Sequence, residues 1–272
     1  MKHVALTSWR DLPSAIAEIE KEIDGLTGHG YSYATPPLFR GQADSRWKLS
    51  TTLDRYLGER TRVGAYLSDA ETAFRSIFAH TGRAFSEASI TEFRSQVMMD
   101  KALPFPFPSV ELLGYFVYLR QFGFPSPLLD WTESPWIATY FALRWPAAPH
   151  SECAVYAFTE LSKKSPQQSG TCFLRFGPLI PTDKRHFNQQ AQYTMAVDAP
   201  TPSRDWTFAD QEAALSQGGD SKFRGWKITF PSDSRREALD HLQSFNLNAF
   251  TLFGTEEALL ESVAHRYLGR VK

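Results

Sequence analysis

Residues 124–145 read FPSPLLDWTESPWIATYFALRW. Ser134 followed by Pro135 is a helix start. A serine hydroxyl there accepts from an orphan amide, and the N–H that proline lacks is not needed at the first helical position. Trp136, Ile137, Tyr140 and Phe141 then recur at helical spacing. Just upstream, Leu128 and Leu129 lead into Asp130 and Trp131, which reads as a buried strand or loop ending immediately before the helix. Downstream, CAVYAFTEL (153–161) and GTCFLRFGPLI (170–180) read as strands. A helix set between extended apolar segments makes this a mixed chain.

Working outward, KALPFPFPSVELLGYFVYLRQFG (101–123) opens on a proline-rich break. An apolar helix follows from about Ser109 to Gln121, with Gly123 as its stop. In LSDAETAFRSIFAHTGRAF (67–85), Ser68 and Glu71 have capping-box spacing ahead of Phe74, Ile77 and Phe78, which predicts a helix starting near Ser68. LFRGQ (38–42) predicts a short strand that breaks at Gly41. Near the start, a partly alternating segment precedes Leu12, Ile16, Ile19 and Ile23 at helical spacing. The stretch 181–225 is polar and poorly periodic, which predicts long loops around a short strand at AQYTMAV (191–197). GWKITFPSD predicts a strand, SRREALDHLQSF a helix, and Thr255 to Tyr267 a last helix. No repeat or linker divides the chain. The sum is α+β: one mixed domain over 1–272 with an N-terminal strand–helix unit, central helices and a twisted sheet of short strands. Its motif core lies at about 37–145 and a strand–helix portion at about 225–270.

Composition narrows the function classes. The 272 residues carry a net charge of -1, which lacks the basic field of a non-specific duplex binder. Two cysteines and seven scattered histidines argue against a structural zinc site, and no metal is expected. The opening MKHVALTSWRDLPSA lacks a secretory apolar core, and no run is long enough to span a membrane. A cytoplasmic location without a membrane partner is the resulting expectation. The chain has 14% aromatic residues, enough for a thick core or an aromatic-walled pocket. No phosphate loop, G-x-G-x-x-G, G-x-S-x-G or H-E-x-x-H is found, and Cys172, inside an apolar strand, reads as inert.

Candidate chemistry centres on Arg40, which sits between Leu38-Phe39 and Gly41-Gln42. A guanidinium in an apolar run needs compensation. Either an anionic ligand meets its fork, or an internal acid does, with Asp44, Asp54 and Asp130 the candidates. Gly41 would allow close approach of a ligand, and Gln42 adds a neutral donor and acceptor. Asp130 reads either as a cap for the following helix or as a partner of Arg40 or of a ribose hydroxyl. Trp131 offers a ring wall or core. Asn188, Gln189, Gln190 and Gln192 carry amides able to read a base or a carboxamide, or simply to be solvated. Glu256 and Glu257 open a helix, where acids are favoured by its dipole, and are weaker candidates for a catalytic acid.

LFRGQADSRWKLSTTLDR (38–55) together with YLRQFGFPSPLLDWTESPWIATYFAL (118–143) resembles the FRG-domain family, named for the Phe-Arg-Gly that stands here as Phe39-Arg40-Gly41. Gln42, Trp47, Leu49 and Arg55 continue the pattern, Leu128 to Thr132 match its Leu-Leu-Asp-Trp-Thr, and Gln190 and Tyr193 match a later glutamine and aromatic strand. The chain departs where the family has Gln-His, here Arg120-Gln121, and Thr-Arg, here Ser126-Pro127. The terminal Pro-Asp of the family has become Gly254-Thr255.

The resemblance implies a bacterial or phage-associated domain of unassigned activity, found beside toxin–antitoxin and defence components. Its first motif is similar to that of ADP-ribosyltransferase-like enzymes. That similarity implies NAD as cofactor, with Arg40, Gly41 and Gln42 at its phosphates or ribose. Trp131, Gln190 and Tyr193 would hold the nicotinamide, and Asp130, Glu256 or Glu257 would supply the acid. The alternatives are a non-catalytic module for a nucleotide-like small molecule or a nucleic-acid end, and a scaffold that contacts a protein target.

Overall fold

The structure is a computed structural model that describes residues 1–26, 31–58, 61–85, 87–95, 97–98, 109–146, 148, 150–163, 171–177, 180, 184–199, 205–216 and 223–268. The chain begins with β1 (Lys2–Ala5), α1 (Leu12–Leu26), β2 (Tyr31–Ala34) and β3 (Leu38–Gln42). Four helices follow: α2 (Thr52–Leu57), α3 (Val63–Thr81), α4 (Glu87–Ser95) and α5 (Val110–Gln121). Then come β4 (Leu129–Thr132), α6 (Pro135–Leu143), β5 (Glu152–Lys163), β6 (Thr171–Phe176), α7 (Lys184–Asn188) and β7 (Ala191–Asp198). The chain closes with β8 (Thr207–Phe208), α8 (Gln211–Ser216), β9 (Phe223–Pro231), α9 (Arg235–Ser244), α10 (Ala249–Phe253) and α11 (Glu256–Tyr267). The mixed α+β class read from the sequence is what the structure has.

The strands form one sheet in the order β1-β9-β5-β3-β4-β7-β6, with β2 added to β5 and β8 to β7. β1 lies parallel to β9, and the other pairs are antiparallel. Alternation along the long strand β5 divides the core. Cys153, Val155 and Ala157 pack with α1, α6, α9 and α10, whereas Ala154, Tyr156 and Phe158 meet Leu38, Trp131 and α8. A third cluster joins α2 to α5 with β7 and β8.

The middle of the sheet is what positions the site. β3 and β4 share one register pair, Phe39 with Thr132. Where that ladder stops, the Arg40 side chain bridges the two strands instead, Nη1 donating to the Asp130 carbonyl at 2.7 Å. Alternation along β3 puts Phe39 and Gly41 against α6 and Leu38, Arg40 and Gln42 on the face of Tyr156.

Several local expectations change. α3 starts at Val63, and Ser68 is inside it, donating to the Gly64 carbonyl. The apolar stripe Val63, Tyr66, Leu67, Ala70 and Phe74 extends the helix upstream and outweighs the capping-box spacing. Glu71 instead pairs with Arg94 at 3.0 Å and accepts from Thr91. β3 runs through Gly41, which pairs with Val155. AFTLF, which pattern alone leaves unassigned, is helical, capped by Asn248 and Thr251. The polar stretch expected to be long loops around one short strand has that strand as β7, with all eight of its residues buried, and adds α7, β8 and α8. Its polar members are satisfied inside: Thr194 accepts from Trp131 Nε1 and donates to Gln211. The positions 181–183, 200–204 and 217–222 of that stretch lie outside the described residues. Among the described residues no helix is long and apolar enough to cross a membrane.

Candidate functional site

A cavity of about 860 Å³ opens beside the β3–β4 seam. Basic side chains reach it from five elements or their ends: Arg40 from β3, Arg55 from α2, Arg120 from α5, Arg144 from the end of α6 and Arg185 from α7, with Lys48 from the loop after β3. Asp44 and Asp130 are the carboxylates among its described lining residues. Asp44 is held by Arg46 at 2.6 Å, and Arg144 is forked onto Glu261 at 2.6 and 2.9 Å. That leaves Arg40, Arg55, Arg120 and Arg185 around the one remaining acid, Asp130.

Asp130 takes its short contact from Arg120, Nη2 to Oδ2 at 2.6 Å, and lies 3.9 Å from Arg40 Nη1. Arg55 donates to the Ser50 carbonyl at 2.6 Å. Among the described residues the Arg185 guanidinium makes no hydrogen bond or ion pair and lies 4.6 Å over the Phe253 ring, which also carries Arg144 at 4.1 Å. Nε of Arg40, Arg120 and Arg185 are all buried without a partner. The electrostatic consequence is direct. Burial, with Arg120 and Arg55 adding to it against the pull of Asp130, pushes the Arg40 guanidinium down to about 10. Burial also lowers Arg55 and Arg185, each with Arg120 contributing.

The candidates read from the sequence are distributed unevenly around this cavity. Arg40, Gly41, Gln42, Asp130, Trp131 and Tyr193 line it. Gly41, though, is not a place of ligand approach. A Cβ there would stand 1.8 Å from the Ala138 carbonyl oxygen, so its missing side chain makes room for α6. Gln42 holds the following turn, Nε2 donating to the Lys48 carbonyl at 3.2 Å. The Trp131 indole is 3% exposed and edge-on to Phe158 in the core. Tyr193 is as buried, stacks on His186 and meets its Nδ1 at 3.3 Å; burial first, then Asp130, raises its phenol.

Gln190, Glu256 and Glu257 fall outside the lining. Gln190 is exposed, with a left-handed φ of 46° in the turn between α7 and β7. Glu256 and Glu257 are exposed in the first turn of α11, where the N-terminal dipole accounts for them and backbone bonding lowers Glu257. Asp130 does not cap α6, since Ser134 does. Among the described residues no three His, Cys, Asp or Glu side chains gather in metal-binding geometry.

Residues 35–151 match the FRG domain family. The chain carries an FRG domain. No curated protein and no solved structure matches it. The FRG domain supplies Arg40, Arg55, Arg120, Asp130 and Arg144, whereas Arg185, Tyr193 and Phe253 come from beyond its C-terminal limit. Two of the departures from the family pattern, Arg120 and Gln121, line the cavity, and Ser126 and Pro127 are buried in the core.

Sequence reasoning named Arg120 only as a departure from the family pattern and Arg55 only as a motif match, and it did not name Arg185. Each stands in the last turn of its helix. A cation there is already explained by the helix dipole, so it carries no sign of a ligand.

Proposed function

We propose that the FRG-domain cavity binds a nucleotide through its pyrophosphate, with NAD as the candidate cofactor. The observation that carries this reading is four arginines gathered around a single carboxylate, three of them with an unpartnered buried Nε. Guanidinium forks match phosphate oxygens, and desolvated charge without a counter-charge is costly. For Arg40, whose side chain is 15% exposed and whose guanidinium is pushed well below its ordinary range to about 10, the cost is about 3 kcal/mol at neutral pH. A diphosphate offsets it by supplying the missing negative charge.

ADP-ribosyl transfer is the second reading, and the position of Asp130 beside Arg40 and Arg120 favours it. In that reaction the bond between the nicotinamide nitrogen and ribose C1′ breaks, and its electron pair leaves with nicotinamide. The cationic sugar is stabilised by the Asp130 carboxylate and attacked at C1′ by an acceptor that gives up a proton.

The test uses purified protein. Calorimetric titration with ADP and NAD should show binding that Arg185→Gln and Arg40→Gln each weaken at least tenfold, with circular dichroism confirming the fold. Arg185→Gln removes a side chain without hydrogen bonds among the described residues, so its effect on binding is separable from stability. No binding of either ligand removes the nucleotide reading. Binding of NAD with no nicotinamide released, in the presence of protein and nucleic-acid acceptors, removes the transferase reading alone.

A further inference from the structure

The chain has seven tryptophans. Five are buried or half-buried: Trp9, Trp131, Trp136, Trp206 and Trp226. The other two, Trp47 at 57% and Trp145 at 58%, are exposed, and both line the arginine cavity. No other exposed large apolar side chain among the described residues does so. Scattered exposed rings are ordinary on a protein surface. Two indoles at the solvent edge of one cation-lined cavity are a different observation.

Both are held from behind. The Trp47 amide donates to the Asp44 carbonyl at 3.2 Å, and its carbonyl accepts from the Tyr156 hydroxyl at 3.1 Å. Asp44 is itself clamped by Arg46, and Gln42 fastens the next residue through the Lys48 carbonyl. The backbone is therefore fixed while the ring stays in solvent. Trp145 is backed by the Arg144 guanidinium at 4.7 Å, and Arg144 is locked onto Glu261. Half-solvated indoles with two side-chain torsions on a fixed backbone lose little entropy when a flat partner stacks on them.

We propose that Trp47 and Trp145 form the base subsite of this cavity, stacking the nucleobase of a ligand whose phosphates lie on Arg40, Arg120 and Arg185. The proposal rests on the nucleotide reading above and refines it. The ring is recognised at the mouth by exposed indoles, not at the floor by Trp131 and Tyr193, whose rings belong to the core.

The experiment compares inorganic pyrophosphate with ADP on wild type, Trp47→Ala and Trp145→Leu, by calorimetry and tryptophan fluorescence. ADP is expected to bind at least tenfold tighter than pyrophosphate and to quench emission, which pyrophosphate does not. Each variant should lose about tenfold in ADP affinity, the range of one base–aromatic stack, with pyrophosphate affinity unchanged. If pyrophosphate binds wild type but ADP binds no tighter, or if the variants leave ADP affinity intact, the base subsite is wrong and the anion site stands. If the variants weaken both ligands equally, the indoles only support the arginines and the proposal is again overturned. If neither ligand binds wild type, the nucleotide reading and this one fall together.

Discussion

Replacing Asp130 by Asn separates the roles the carboxylate can play. In the free protein it is the acid that balances Arg120 at 2.6 Å and Arg40 at 3.9 Å. Its side chain is 36% exposed, so solvent screens the pair. Loss of the charge should cost about 1–2 kcal/mol. For a chain of this size that is a fall in Tm of roughly 2–8 °C. Binding should move the other way. A phosphate seated on the same guanidiniums lies about 6 Å from the carboxylate, a repulsion of about 3 kcal/mol at an effective dielectric constant near 20. Salt at physiological strength roughly halves it. Asp130→Asn should therefore bind ADP about tenfold more tightly than wild type, although it is less stable. Calorimetric titration at two salt concentrations, with thermal melts of both free proteins, reads both quantities. Unchanged or weaker ADP binding would refute the reasoning: the carboxylate would then not stand in the anion's place, or would contact the ligand favourably. Where NAD is turned over, the same variant should release no nicotinamide while still binding ADP more tightly.

Gly41→Ala should fail to fold or lose more than about 4 kcal/mol, because the added Cβ would meet the α6 backbone at 1.8 Å and backbone cannot rotate away; soluble yield and melting report it, and a wild-type Tm would contradict the packing. Glu71→Gln should cost about 3 kcal/mol by denaturant titration, since Glu71 is 10% exposed and faces Arg94 and Arg75. Raising the pH should weaken ADP binding as Arg40 loses its proton at about 10, well below the ordinary guanidinium range. The folded state gives up that proton before the unfolded one, so as pH rises above about 10 the unfavourable contribution of Arg40 to stability fades. Affinity measured from pH 8 to 11 checks the first part, and a flat profile would place the phosphate elsewhere.

Much of the fold is written in short-range pattern. Ser134-Pro135 starts α6, Ser109 and Gly123 bracket α5, and Leu12, Ile16, Ile19 and Ile23 define the buried side of α1. Each signal is local, because a cap or an apolar stripe acts within a few turns of its own residues. Arg40 and Asp130 were legible for a related reason: a charge between apolar neighbours demands a partner wherever the chain goes.

The sequence by itself therefore determined the mixed class, most of the helices and the one arginine whose position needed explaining. The tertiary structure decided what surrounds it. Arg55, Arg120 and Arg185 end three helices far apart in the chain, and only their convergence turns ordinary helix-end cations into an excess of positive charge. Glu256, Glu257 and Gln190 are also candidates in one dimension, but the chain path leaves them at a helix start and a turn away from the cavity. Electrostatic energy depends on distance in space, and sequence separation does not encode that distance until the sheet and helices have packed.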